Sequence, residues 1–131
     1  MKKRAICLSL VALLLLSGLL VAAGAAVKPA KNLATPQLKS PRNGATINFG
    51  DPTSFEWRAV SGATCYQMDL EVADGTHPVT WKHTGTLVIY NSKADLSFQA
   101  GYRRWRVTAL DTYSPSLMSS LPSNWRTFTV V

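Results

Sequence analysis

Gly101-Tyr102-Arg103-Arg104-Trp105-Arg106-Val107-Thr108-Ala109-Leu110-Asp111 decides how this chain folds. From Arg103 onward it alternates. Trp105, Val107 and Ala109 fall in one phase; Arg104, Arg106 and Thr108 fall in the other. A period of two gives a strand one face for a core and one for water. The rest of the chain supplies short strands to cover it.

Upstream, residues 64–72 form the clearest partner. Tyr66, Met68, Leu70 and Val72 point one way, and Cys65, Gln67, Asp69 and Glu71 the other. Residues 53–59 alternate through Phe55 and Trp57, and residues 95–99 through Leu96 and Phe98. Shorter strands are expected at 36–41, 45–49, 79–83 and 86–90. Turns are expected at Asn43-Gly44, Gly50-Asp51-Pro52, Ser61-Gly62, Asp74-Gly75 and Gly85, where glycine, asparagine or proline sets the backbone. Asn91 to Ala94 is expected as a loop. Residues 124–131 close the chain with Phe128 and Val130 inward. No window after Thr35 has helical periodicity. Some seven short strands with turns every 8 to 12 residues make an all-β sandwich pattern.

The chain has 131 residues. Its start is not domain-like: Lys2-Lys3-Arg4 is followed by an uncharged run of 23 residues, Ala5 to Val27, rich in Leu, Ala and Val. Ala22-Ala23-Gly24-Ala25-Ala26 supplies the small residues of a signal-peptidase site, with Ala23 and Ala25 as an A-x-A pair. Residues 1–26 are expected to be a secretory signal peptide. The chain is then secreted or periplasmic, cut near Ala25 or Ala26. The alternative is an uncleaved single-pass anchor, since about 20 apolar residues span a bilayer. A lipidated cysteine is not expected, because Cys7 precedes the apolar core. Residues 27–35 carry Pro29 and no periodicity and read as a linker; 36–131 is the domain.

Three of the 14 basic residues lie in the leader, so the remainder carries 11 against 7 acidic ones, a net charge of +4. That is mild and unclustered, and it argues against a nucleic-acid partner. Only Cys65 remains after the leader, so no disulfide framework holds the domain, and the core must. Cys65 is expected as an exposed thiol that pairs with another chain or, alternatively, as a half-covered inert one.

The resemblance is to a fibronectin type III domain of the kind found in exported bacterial proteins. Four pieces carry it: residues 36–45 (PQLKSPRNGA), residues 55–63 (FEWRAVSGA) with Tyr66, residues 105–109 (WRVTA), and residues 125–131 (WRTFTVV). It implies a seven-stranded antiparallel immunoglobulin-like sandwich after an N-terminal signal helix. The first, second and fifth strands would face the third, fourth, sixth and seventh. It also implies that the strands of Asp69/Glu71 and Arg104/Arg106 are antiparallel neighbours, so exposed cross-strand ion pairs are expected. The expected core is Phe55, Trp57, Tyr66, Met68, Leu70, Leu96, Phe98, Trp105, Val107, Phe128 and Val130. The family's tyrosine corner falls at Arg103 here, with Tyr102 one residue early. Either a bulge turns Tyr102 inward or the corner is missing.

Nothing argues for chemistry. No nucleophile elbow, phosphate loop, zinc helix motif or paired-cysteine motif occurs. His77 and His83 have only Asp74 near them, too few ligands for a metal. No cofactor is expected, and no enzyme. The expected role is protein binding at the cell envelope. The candidate partner-binding residues are Tyr113, Leu117, Met118 and Leu121, in the irregular stretch 112–123 at one end of the sandwich. Alternatively, those apolar side chains cover the core's open end. Two other functions stay open: a polysaccharide-binding accessory protein using exposed Trp81 and Trp125, and a passive membrane-tethered structural domain.

Overall fold

A computed structural model describes residues 33–112 and 118–131. The expected signal helix, most of the linker, Tyr113 and Leu117 lie outside the described residues. Nine strands follow in chain order: β1 (Leu38–Ser40), β2 (Ala45–Ile47), β3 (Thr53–Trp57), β4 (Cys65–Ala73), β5 (Trp81–Ile89), β6 (Lys93–Leu96), β7 (Gly101–Asp111), β8 (Met118–Ser119) and β9 (Arg126–Val130). They form two sheets. The smaller has the order β1-β3-β6; the larger runs β2-β9-β7-β4-β5, with β8 on the distal half of β7. The chain changes sheets five times, between β1 and β2, β2 and β3, β3 and β4, β5 and β6, and β6 and β7. β2 pairs with β9 in parallel; the other pairings are antiparallel.

The core lies between the sheets where the alternation places it. Phe55, Trp57, Tyr66, Met68, Leu70, Trp105, Val107, Phe128 and Val130 are buried, and Leu96 and Phe98 pack against them. The two layers are joined by aromatic edges. Phe55 of the small sheet meets Trp105 at 4.9 Å and Phe128 at 5.5 Å, both near perpendicular. Trp57 meets Tyr66 at 5.4 Å. Edge-to-face pairs of this kind add about 0.5–1.5 kcal/mol each beyond the area they bury. The Tyr66 hydroxyl also accepts the Val60 N–H at 2.9 Å, pinning the loop between β3 and β4. Leu33, near the end of the expected linker, packs on the same core.

Several local expectations are corrected. Gly85 does not turn the chain. β5 runs through it, and the register instead shifts opposite Leu70 and Glu71, leaving Thr84 as an extra residue whose hydroxyl donates to Leu70 O at 3.1 Å. A bulge absorbs one residue without reversing a strand. Residues 93 and 94 are strand rather than loop, because they pair with Glu56 and Phe55 on the β3 edge. Tyr102 stays outward and 39% exposed, so the corner is missing. Its register partner is Thr129, and no bulge intervenes before Trp105. Cys65 keeps the outward phase, yet it is fully buried beside Leu110, with Val88 and Tyr90 packed over it, and it is not a free thiol. Its burial overturns the exposed and the half-covered reading alike. Strand phase fixes a side chain's direction, not what covers it.

Candidate functional site

The last stretch of the chain departs from a simple strand and builds the site. After β8, residues 120–125 run beside β7 without regular pairing. Ser123 N–H donates to Val107 O at 2.9 Å, and Val107 N–H donates back to Ser123 Oγ at 3.0 Å. Ala109 and Ser120 repeat the exchange at 2.9 and 2.8 Å. Two serine hydroxyls therefore stand where strand carbonyls would. Both serines are buried, and their hydroxyls pass the bond on to Leu121 O and Asn124 O. Three residues of this segment span two of β7, so Leu121 is pushed outward. It is 72% exposed, beyond any other large apolar side chain among the described residues.

Leu121 stands on the rim of an open groove of about 630 Å³ between this segment and β1. Pro36, Leu38 and Pro122 supply apolar walls, and Arg126 closes one side. Arg126 lies in the inward phase with Phe128 and Val130 and crosses to the other sheet. Its guanidinium donates to Leu38 O (2.7 Å), Lys39 O (3.1 Å) and Pro41 O (3.0 Å). One side chain thus satisfies three carbonyls of residues 38–41. Of the expected partner-binding residues, Leu121 stands free. Met118 is half-buried in β8 opposite Asp111. Leu121 does not fold back over the core. Its neighbours Ser120 and Ser123 turn inward instead, bonded to β7.

The outer face of the larger sheet carries a second cluster. Arg104 pairs with Glu71, and Arg106 Nε donates to Asp69 Oδ2 at 3.0 Å, as the antiparallel register implies. The pairs are not as exposed as expected: the Glu71 and Asp69 side chains keep only 17% and 10% of their surface. Aromatic rings cover them. The Arg104 guanidinium lies 4.5 Å from the Trp81 ring and 4.3 Å from Trp125, and Arg106 lies 4.4 Å from Trp125. Tyr102 extends the stack onto Trp81 at 5.2 Å. Trp81 and Trp125 are half-buried, and the guanidinium of Arg104 contacts both rings. Thr86 and Gln67 donate to Asp69 Oδ1, both at 3.2 Å, completing the polar network.

His83 contacts Thr86 at 3.2 Å and is exposed, as is His77. No group of three or more metal-ligating side chains occurs among the described residues. Arg103, inward on β7, lies over the Phe98 ring at 5.3 Å and donates to Gln99 O; burial pushes its pKa below the ordinary arginine value. Asp74 accepts from Thr76 Oγ1 and Thr76 N–H, which hold its carboxyl below the usual carboxylate range. Neither group faces the groove.

No family model and no curated protein matches the chain. Among solved structures it is similar to the solution structure of the fn3 domain of the human collagen alpha-1(XX) chain. The likeness has a TM-score of 0.50 and 14% identity over 81% of this chain and 92% of that one. At that identity the likeness concerns the fold.

Proposed function

We propose that this chain, whose fold is that of a fibronectin type III domain, is a non-catalytic exported module that binds another protein at the cell envelope. The observation that carries the binding reading is Leu121, 72% exposed on the rim of the groove beside Pro36 and Leu38. An exposed leucine gains by being covered, and a preformed groove lets a partner cover it at little ordering cost. Arg126 already takes the carbonyls of Leu38, Lys39 and Pro41, so the partner would meet side chains at this wall of the groove. Export rests on the basic start, the uncharged run and the small residues before Val27.

The test is affinity capture from envelope extract with the exported protein and its Leu121→Asp variant. Capture of a protein by the first and not the second supports the reading. Equal capture by both sinks the groove as the binding surface. Retardation in a polysaccharide gel, lost in Trp81→Ala, would move the function to the outer face instead. Mass spectrometry of the exported N-terminus separates a cleaved leader from an anchor.

A further inference from the structure

Asn43-Gly44 is the single Asn-Gly step in the sequence, and it forms the turn that carries the chain from β1 to β2. Such a step has its own chemistry. The backbone nitrogen of the glycine attacks the asparagine side-chain amide carbon, a ring closes, and ammonia leaves. Water then opens the ring at one carbonyl or the other, giving aspartate or isoaspartate. Glycine allows this because no Cβ blocks the approach and the backbone turns freely. Two things are needed: a glycine N–H that is free to lose its proton, and an asparagine side chain free to swing over it.

Here both are held, and by one residue. Gly44 N–H donates to Thr127 O at 2.8 Å. Asn43 Oδ1 accepts from Thr127 N–H at 2.8 Å and from Thr127 Oγ1 at 3.2 Å. The nucleophile and the electrophile are thus both tied to the start of β9. Both residues are otherwise exposed, so water for the second step is at hand. What holds this junction closed is slight. β2 is three residues long, sits at a sheet edge, and is in register with β9 over Ala45–Ile47, with two further backbone bonds at Val131, from Phe49 N–H and to Ile47 O. Short edge strands open far more often than the whole domain unfolds.

We infer that Asn43 is a spontaneous deamidation site gated by the parting of β2 from β9, so that its modification records how often this junction opens. The two products differ in consequence. Aspartate keeps the oxygen that accepts from Thr127, and the junction recloses. Isoaspartate adds a carbon to the backbone and displaces that oxygen, and the junction stays open.

The experiment is peptide mass mapping of the full chain held at mildly alkaline pH, folded and in denaturing urea. The folded chain should convert roughly tenfold or more slowly, the ratio being the closed-to-open population of the junction. Ile47→Ala loosens β2 without touching the reacting groups and should restore a large part of the unfolded rate. Thr127→Val removes only the hydroxyl donor and should raise the rate by a smaller factor without disturbing the core. Hydrogen exchange on the separated products should show Gly44 and Thr127 amides protected in the aspartate form and unprotected in the isoaspartate form. Equal rates for folded and unfolded chain would overturn the inference. So would a variant in which Gly44 exchange accelerates while deamidation does not.

Discussion

Arg104→Ala removes the centre of the outer-face stack, and its cost can be worked from the contacts. The side chain is 23% exposed, so its interactions are only partly screened. Each cation–π contact is worth about 0.5–1 kcal/mol in the open and about 2 kcal/mol when desolvated; the two rings at 4.5 and 4.3 Å then contribute about 2 kcal/mol together. The Glu71 pair adds about 1 kcal/mol, slightly above the exposed-pair median because the acid is 17% exposed. Deletion also leaves Glu71 without its cation. The expected loss is about 3 kcal/mol, from a domain whose class has roughly 5–15 kcal/mol in total. Urea unfolding followed by tryptophan fluorescence reads it directly. Arg104→Lys keeps the charge but not the planar fork, and should recover less than half of the loss. A double-mutant cycle with Trp125→Ala should give a coupling of about 1 kcal/mol. A loss for Arg104→Ala below about 0.5 kcal/mol, with no coupling to Trp125, would mean that the stack is geometry without energy.

Trp105→Ala empties the middle of the core against Phe55 and Trp57, and should cost roughly 3–5 kcal/mol in the same urea assay. Arg126→Gln frees carbonyls at Leu38, Lys39 and Pro41. It should cost about 1–3 kcal/mol and raise hydrogen exchange at β1 selectively. The Asp74 carboxyl is held down chiefly by the Thr76 hydroxyl. A folded value below the unfolded one gives stability that is full at neutral pH and fades as pH falls through the acid range. Thr76→Val should therefore lower the melting temperature slightly at neutral pH, leave the acid end of the profile nearly unchanged, and so flatten the limb between them.

Much of the fold is legible in alternation. Phe55, Trp57, Met68, Trp105, Val107 and Phe128 are buried because a period of two leaves them one side to occupy. The Asp69–Arg106 and Glu71–Arg104 pairs follow from antiparallel register once the neighbouring strands are known. What stays hidden is whatever depends on the other sheet or on one displaced residue. Gly85 looks like a turn, but the bulge at Thr84 keeps β5 continuous. Trp81 and Trp125 are distant in sequence and read as a platform; only the sheet order brings both against Arg104. In the groove, Leu121 is visible as an apolar residue among serines, whereas Ser120 and Ser123 look like any loop serines until their hydroxyls are found on β7. Arg126 did leave a signal. It shares the inward phase of Phe128 and Val130, and a charged residue on an inward phase must reach something polar across the sandwich.

The claim that the groove beside Leu121 is where this module meets its partner is tested most directly by site-specific photo-crosslinking in the exporting cell. A photoreactive residue at Leu121 should give one discrete adduct with an envelope protein, and the same probe at Thr86, on the far edge strand, should give none. An adduct of equal yield from Thr86, or adducts from Thr86 alone, would contradict the account.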